Sequence, residues 1–301
     1  MISYRNISSM GTRLDLVMID TDDSKADSIM GSISNILADL VGMLSIFEYD
    51  SELSVVNRGA AEKEIVVSEK LFSILTYCKE LFDITGGVFD ISSTRLTTLW
   101  RENPDPSEKD IQWICDRTGM DKVYLNSSSR SVSFENPVLM LDSGAFGKGI
   151  ALREIRDLLL KEGVSNALVS FGESSVAGLG THPHGPYWPV GLSSLFDPRN
   201  YVRVFEIKDS TLSTSGSGFL TSAGGFESYR NIINPKTGMP LLEPATVSVM
   251  CEDPFLAEIL STALLIDSGL AGQLRQRYPG VEAARVYYDV AKQPLVSELF
   301  A

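Results

Sequence analysis

The sequence predicts an α+β fold, a single domain over residues 1–301 with a mixed or antiparallel sheet and flanking helices. Three observations carry this. Strand-like runs fall in groups spaced for hairpins, and helical periodicity sits between the groups rather than after every strand. No Pro-, Gly- or Ser-rich stretch separates one half of the chain from the other. At 301 residues and 44% hydrophobic content the chain buries a large core without disulfide or metal staples.

The first strand is expected over residues 13–19. Asp23 or Ser24 then caps a long amphipathic helix in which Ile29, Ile33, Leu37, Leu40, Leu44 and Phe47 recur at helical spacing. A second helix follows Ser68, with Leu71, Phe72, Leu75, Cys78 and Phe82 on one face, and Gly86-Gly87 ends it. After the linker Asn103-Pro-Asp-Pro106, Ser107 opens a short helix to Thr118. The period then changes: residues 122–126 and 131–134 flank a Ser-rich turn and read as a hairpin. A strand over 138–141 leads into a Gly-rich turn at 142–149 and a helix to Glu162. Further strands are expected at 166–171, 188–192, 201–207, 229–233 and 246–251. Asp253-Pro254, with Asp as N-cap and Pro at the first helical position, opens a helix to Ile266.

Charge and composition exclude several functions. Asp plus Glu at 39 against Lys plus Arg at 26 gives a net charge of −13, and no basic cluster supplies the face that nucleic acid requires. An anionic small molecule would need backbone N–H groups, a few placed cations or a bound metal to offset repulsion. No apolar run approaches membrane-spanning length, so no membrane span is expected. The opening residues show no basic stretch followed by an apolar one, and a cytoplasmic location is the expectation. Cys78, Cys115 and Cys251 are too few and too scattered for a disulfide framework or a metal knuckle.

Four segments contain residues that packing alone does not demand: Asp50-Ser-Glu-Leu-Ser-Val-Val-Asn57, Thr85-Gly-Gly-Val-Phe-Asp90, Leu141-Asp-Ser-Gly-Ala-Phe-Gly-Lys-Gly149, and Asn231-Ile-Ile-Asn-Pro-Lys-Thr-Gly238 followed by residues 257–264. The double glycine permits close backbone approach to a ligand, and Asp90 offers an acceptor. The third segment is a strand-to-helix turn whose N–H groups suit phosphate, although its spacing is neither that of dinucleotide-binding folds nor that of a P-loop. Glu258 and Thr262 stand at i and i+4 on one helical face, where their oxygens suit a hard cation with Ser261 alongside. The competing reading is a solvated Glu and a Thr bonded to its own helix backbone. His182 and His184, the only histidines, sit together on a loop, either simply exposed or available to a metal or a proton.

In combination, these segments resemble the ApbE-type flavin transferases, the FAD:protein FMN transferase family. The matching landmarks run in order: Met10-Gly-Thr12, Asp50-Ser-Glu-Leu-Ser54, Thr85–Asp90, Leu141–Gly149, Asn166-Ala-Leu-Val169, Ser213-Thr-Ser-Gly216, Ile232–Gly238 and Ser261-Thr-Ala-Leu264. The resemblance implies an α+β fold around a flavin cleft, FAD as donor, magnesium, and an acceptor flavoprotein whose Thr or Ser hydroxyl receives FMN. It places Met10 and Phe47 at the flavin, Val88, Phe89 and Asp90 at the adenosine part, and Gly144, Ile150 and Ile232 among the other FAD contacts. It assigns the metal to the Gly147 carbonyl, Glu258 and Thr262, with Ser261 adjacent.

Several positions depart from the family pattern. Glu258 stands where Asp is usual, Asn234 where Asp is usual, and Asn231 where a His is the expected proton acceptor. An amide does not titrate near pH 7 and cannot serve as a general base. Two alternatives to transfer therefore stay open: hydrolysis of FAD to FMN and AMP, and flavin binding with little turnover.

Overall fold

The structure, a computed structural model, describes residues 1–197, 199–221, 226–289 and 291–300. Its elements begin with β1 (Ile2–Ser9), β2 (Thr12–Ile19), α1 (Asp23–Leu44), α2 (Glu52–Gly59), β3 (Ile65–Val66), α3 (Glu69–Ile84), α4 (Thr94–Glu102) and α5 (Glu108–Cys115). They continue with β4 (Val123–Asn126), β5 (Ser131–Phe134), α6 (Gly147–Lys161), β6 (Ala167–Phe171), β7 (Ser175–Leu179), β8 (Trp188–Ser193) and β9 (Tyr201–Ile207). The remainder are β10 (Ser210–Gly216), β11 (Gly218–Leu220), β12 (Phe226–Ser228), β13 (Ala245–Cys251), α7 (Pro254–Ile266), α8 (Ala271–Arg277), β14 (Glu282–Tyr288) and β15 (Pro294–Phe300). Contacts divide the chain into two compact units. One comprises residues 1–39, 146–227 and 244–301, and the other residues 40–145 and 228–243. Both are built from separate stretches of chain, which is why no linker in the sequence marks a boundary.

The first unit is organised by an eight-stranded sheet in the order β1-β2-β6-β7-β10-β13-β14-β15. Every neighbouring pair is antiparallel. Tight turns make this possible. Met10 and Gly11, with φ of 50° and 75°, form the two-residue link between β1 and β2, the left-handed pair that matches hairpin twist. Because side chains alternate across a strand, the two faces of the sheet acquire different roles. Leu212 of β10 and Val176 of β7 join Trp188, Leu192, Phe205 and Ile207 of the β8–β9 hairpin in one apolar cluster. Ser213 and Ser215 of β10 point the other way, toward α7.

Helix α7 is buried almost all round, from Phe255 through Leu265, as expected of a helix without a polar face. Asp253 caps it, accepting from Phe255 N at 3.0 Å, and Arg153 of α6 holds the same carboxylate at 2.5 and 2.6 Å. The first turns of α6 and α7 touch at Gly149. A Cβ there would lie 2.5 Å from the Pro254 carbonyl oxygen, 2.9 Å from Phe255 Cα and 2.8 Å from Glu258 Cγ. Two of these neighbours are backbone and cannot swing aside. Gly149→Ala is therefore expected to destabilise the protein by about 3 kcal/mol, the upper end for overpacking, read as a lowered urea midpoint with an unchanged m-value.

In the second unit, α4 and α5 pack through Leu96, Trp100, Ile111 and Ile114, and Ile233 completes that cluster. The segment around Ile233 is tied down further. Trp100 Nε1 donates to the Gly238 carbonyl at 2.7 Å, and Gly238 (φ +67°) lies so close to Ile111 and Cys115 that a Cβ would overlap both. A three-stranded sheet, β3-β5-β4, includes the hairpin expected from residues 122–134.

Three expectations are corrected. Residues 138–141 make only an isolated bridge, Ser93 to Met140. The Asn57 side chain takes both the N–H and the carbonyl of Leu141, at 2.8 and 2.9 Å, in place of a neighbouring strand. Residues 229–233 likewise form a single bridge, Ile233 to Pro240, because Arg230 at φ 52° breaks the extended run. Phe47, read as part of the helical stripe, lies beyond the end of α1 and is 89% exposed. Among the described residues no single helix is long and apolar enough to cross a membrane.

Candidate active site

The polar cluster of the first unit follows from strand register. Ser175 of β7 pairs directly with Ser213 of β10, so both hydroxyls stand side by side on the face that α7 covers. Glu258, in the second turn of α7, is 4% exposed and drops its carboxylate between them. Its Oε1 accepts from Ser175 Oγ in a short contact and from Ser213 Oγ at 2.9 Å. Its Oε2 faces Lys148 Nζ at 3.4 Å. Lys148, from the first turn of α6, also donates to Ser174 Oγ at 2.8 Å and Ser175 Oγ at 2.5 Å. One helical turn along, Ser261 Oγ lies 3.1 Å from Ser213 Oγ and 2.8 Å from Ser215 Oγ, and Ser215 Oγ lies 3.1 Å from Thr262 Oγ1. A buried carboxylate survives only when paired and hydrogen-bonded, and here it is both.

The geometry bears on the two readings of this helix. Glu258 is not solvated. Thr262 does bond its own helix, to the Glu258 carbonyl at 3.2 Å, but it also touches Ser215. Gly147 opens the same turn of α6 that carries Lys148 and Gly149, so Gly147, Glu258, Ser261 and Thr262 belong to packed neighbouring turns. Among the described residues no group of three His, Cys, Asp or Glu is placed to hold a metal. The cluster offers one carboxylate with hydroxyl and carbonyl oxygens. An all-oxygen set with a single carboxylate is of the kind magnesium takes, but Lys148 Nζ stands 3.4 Å from Glu258 Oε2, and a cation there would have to displace it. Ile150, in the next turn of α6, is buried, and Met10 is half-buried at its hairpin turn.

In the second unit, the other residues carried over from the resemblance are spread along the chain. Val88 and Phe89 are 1% and 2% exposed, so both side chains are part of the core. Gly86 and Gly87, both at positive φ, close α3, with Gly87 N bonded to the Phe82 carbonyl. Gly144 is exposed and donates its N–H to Asp142 Oδ1 at 2.9 Å. Asn231 is exposed and Ile232 half-buried, in a loop closed by Ser228 Oγ to the Leu241 carbonyl at 2.6 Å and by Leu241 N to the Ile232 carbonyl at 3.0 Å. Asn234 caps the following turn, accepting from Lys236 N at 3.0 Å.

Asp90 is held inward. Its Oδ1 accepts from both the N–H and the hydroxyl of Ser92, at 2.8 and 2.7 Å, and Ser92 Oγ accepts from Gly119 N. Burial pushes the carboxyl up to about 6 from 3.8, against the opposing pull of the two Ser92 bonds. The folded state thus binds more protons than the unfolded chain between about pH 4 and 6, and Asp90 costs stability that grows as pH rises through that window. Asp90→Asn keeps the acceptor oxygen and removes the charge. Its stability relative to native is expected to rise from pH 4 to pH 6 and then level at a gain of order 3 kcal/mol, measured by urea unfolding across that range.

The histidine loop is engaged with itself. His182 Nδ1 accepts from His184 N at 3.1 Å, and the His182 ring stands edge-on to Trp188. Sequence reasoning named no role for Lys148, Ser175 or Ser215. Lys148 was the legible one, as the only cation in the Gly-rich turn.

The comparisons with known proteins agree on one family. The family model described as the ApbE family matches residues 10–284. A Klebsiella pneumoniae (strain 342) protein named FAD:protein FMN transferase is 28% identical over 268 residues, covering 86% of this chain and 76% of the relative. A Vibrio cholerae protein of the same name is 24% identical over 271 residues, covering 86% and 79%. In three dimensions the chain resembles the flavin transferase ApbE from Vibrio cholerae, at TM-score 0.85 and 20% identity over 99% of this chain and 97% of that one. It also resembles the apo form of Pseudomonas stutzeri flavinyl transferase ApbE, at TM-score 0.83 and 23% identity over 99% and 94%. These structural likenesses establish the shared α+β fold. With the family match running through nearly the whole chain, this protein belongs to the ApbE family.

Proposed function

We propose that this chain is an FAD:protein FMN transferase that moves FMN from FAD to a Thr or Ser hydroxyl of an acceptor flavoprotein, with magnesium. The observation that carries the reading is the buried Glu258 carboxylate, set among hydroxyls against the first turn of α6, in a chain of the ApbE family. In the reaction, the acceptor oxygen bonds to the FMN phosphorus, the P–O bond to the bridging oxygen breaks, and AMP leaves with that oxygen. The acceptor proton is released to water, because Asn231 cannot take it. Glu258, Thr262 and the Gly147 carbonyl, with Ser261 beside them, would hold the metal. A magnesium ion held there would supply charge neutralisation for an anionic diphosphate in a protein that is itself strongly anionic. Met10, Phe47, residues 88–90, Gly144, Ile150 and Ile232 are the proposed FAD contacts. Transfer of this kind depends on positioning and electrostatics more than on covalent chemistry by the protein.

The amide at Asn231 favours a second reading, a flavin-binding protein with little turnover. Incubation with FAD, Mg2+ and a Thr-bearing acceptor domain, followed by mass measurement of the acceptor and assay of AMP, decides among the readings. Acceptor gaining FMN with one AMP released supports transfer. AMP without labelling means hydrolysis, and neither product means a binder.

A further inference from the structure

We propose that Lys148 is a tethered cation that holds the Glu258 carboxylate in the resting protein and yields it only when a divalent ion displaces it, so that metal binding here is an exchange of one cation for another. The inference rests on the magnesium reading above and extends it to a residue that reading does not use. Both carboxylate oxygens are already taken: Oε1 by the hydroxyls of Ser175 and Ser213, Oε2 by Lys148 Nζ. The ammonium is equally engaged. It faces Ser174 Oγ at 2.8 Å, Ser175 Oγ at 2.5 Å and Glu258 Oε2 at 3.4 Å, which matches its complement of N–H donors. Helix stability does not explain its place. Lys148 lies in the first turn of α6, where a positive charge opposes the helix dipole and no side chain caps the N-terminus.

Burial makes the exchange obligatory. A carboxylate as enclosed as Glu258 needs a positive partner at every stage. An ammonium and a divalent ion repel each other, so they do not share Oε2. The lysine is also built to leave. Its side chain is 23% exposed against 5% for that of Glu258, and it sits on a flexible four-carbon stem. Its backbone stays in the first turn of α6, so release moves the ammonium without removing it from the neighbourhood. A carboxylate free of its lysine about a tenth of the time binds an ion about 10-fold more weakly than its ligands alone would allow.

The test is calorimetric titration of the full chain with Mg2+, without FAD or acceptor. Lys148→Met is expected to bind Mg2+ about 10-fold more tightly than native protein. Lys148→Arg keeps a cation on Glu258 and should bind no more tightly than native. Were Lys148 only a support for Glu258, its loss would weaken Mg2+ binding, so the sign of the change decides. A second measurement needs no variant. Amine acetylation of native protein, read at Lys148 by peptide mass spectrometry, should run faster at saturating Mg2+ than without it at matched ionic strength, while the exposed Lys161 is unchanged. Mg2+ binding by Lys148→Met that is absent, weaker than native or within about twofold of it overturns the proposal. So does a gain that persists when Glu258→Gln is added, or acetylation of Lys148 indifferent to Mg2+. If Lys148→Met does not fold, the acetylation rates with Lys148→Arg decide. Failure of the transfer reading looks different: an unlabelled acceptor alongside an intact gain in Lys148→Met.

Discussion

Glu258→Ala is expected to abolish FMN transfer and to lower stability by about 3 kcal/mol. The two effects have one origin. The carboxylate is buried between β7, β10 and α6, and it is the anionic partner of Lys148, whose side chain is 23% exposed. Removing it leaves a partly desolvated ammonium against the neutral Ser174 and Ser175 hydroxyls. Deleting one member of a buried pair costs more than the pair contributes, since the remaining charge stays desolvated; the partial exposure of Lys148 places this case at the low end of that range. Glu258→Gln separates stability from function. The carboxamide oxygen still accepts from Ser175 and Ser213, so packing is kept, while the charge that would hold a cation is lost. Combining Glu258→Gln with Lys148→Met should recover stability relative to Lys148→Met and Glu258→Gln taken additively, giving a favourable coupling in a double-mutant cycle. Activity should not return in the double variant. Stability within 0.5 kcal/mol of native in Glu258→Ala, as for an ordinary surface substitution, would show that the network is not a desolvated ion pair.

What the sequence disclosed, and what it did not, follows from where apolar residues fall. The helices with good caps were legible: Ser68, Ser107 and Asp253 each accept from a backbone N–H of the first turn, as their positions suggested. Strands with large alternating side chains, such as β2 and β13, were legible too. Strands β7 and β10 were not, although they lie at the centre of the sheet. Their sequences, Ser175-Val-Ala-Gly-Leu179 and Ser210-Thr-Leu-Ser-Thr-Ser-Gly216, place serines where a core strand normally carries Val or Ile. Those serines line the polar cluster, so the feature that hid the strands is the one that builds the site. Glu258 was visible by its spacing from Thr262, but its burial came from Gly149, whose role needs the α6–α7 approach to be seen. Phe47 misled because its periodicity continues that of α1 past Leu44, where the helix has already ended.

Asn231→His is expected to raise the transfer rate by roughly 10²–10⁴ at unchanged FAD affinity. The argument starts from the loop. Ser228, Ile232 and Leu241 close it by hydrogen bonds, Ile233 anchors it in the α4–α5 cluster, and Gly238 is fixed under Trp100. Position 231 itself is exposed, so an imidazole meets no packing penalty and stability should stay within about 0.5 kcal/mol of native. A His in ordinary surroundings titrates near 6.5, which makes it a competent base at neutral pH, whereas the native amide accepts no proton. The variant should therefore gain a pH dependence that native protein lacks: kcat rising with pH through about 6.5 and levelling above 7.5, as the neutral imidazole becomes the dominant form. Binding of FAD involves no proton at this residue and should be flat over the same range. A native chain already showing such a rise would mean that another group accepts the proton. His182 and His184 would be tested first, the former accepting the His184 N–H through Nδ1, by His182→Ala and His184→Ala. If instead the variant binds FAD normally, folds normally and gains no rate, proton removal does not limit transfer and the general-base assignment for position 231 is wrong.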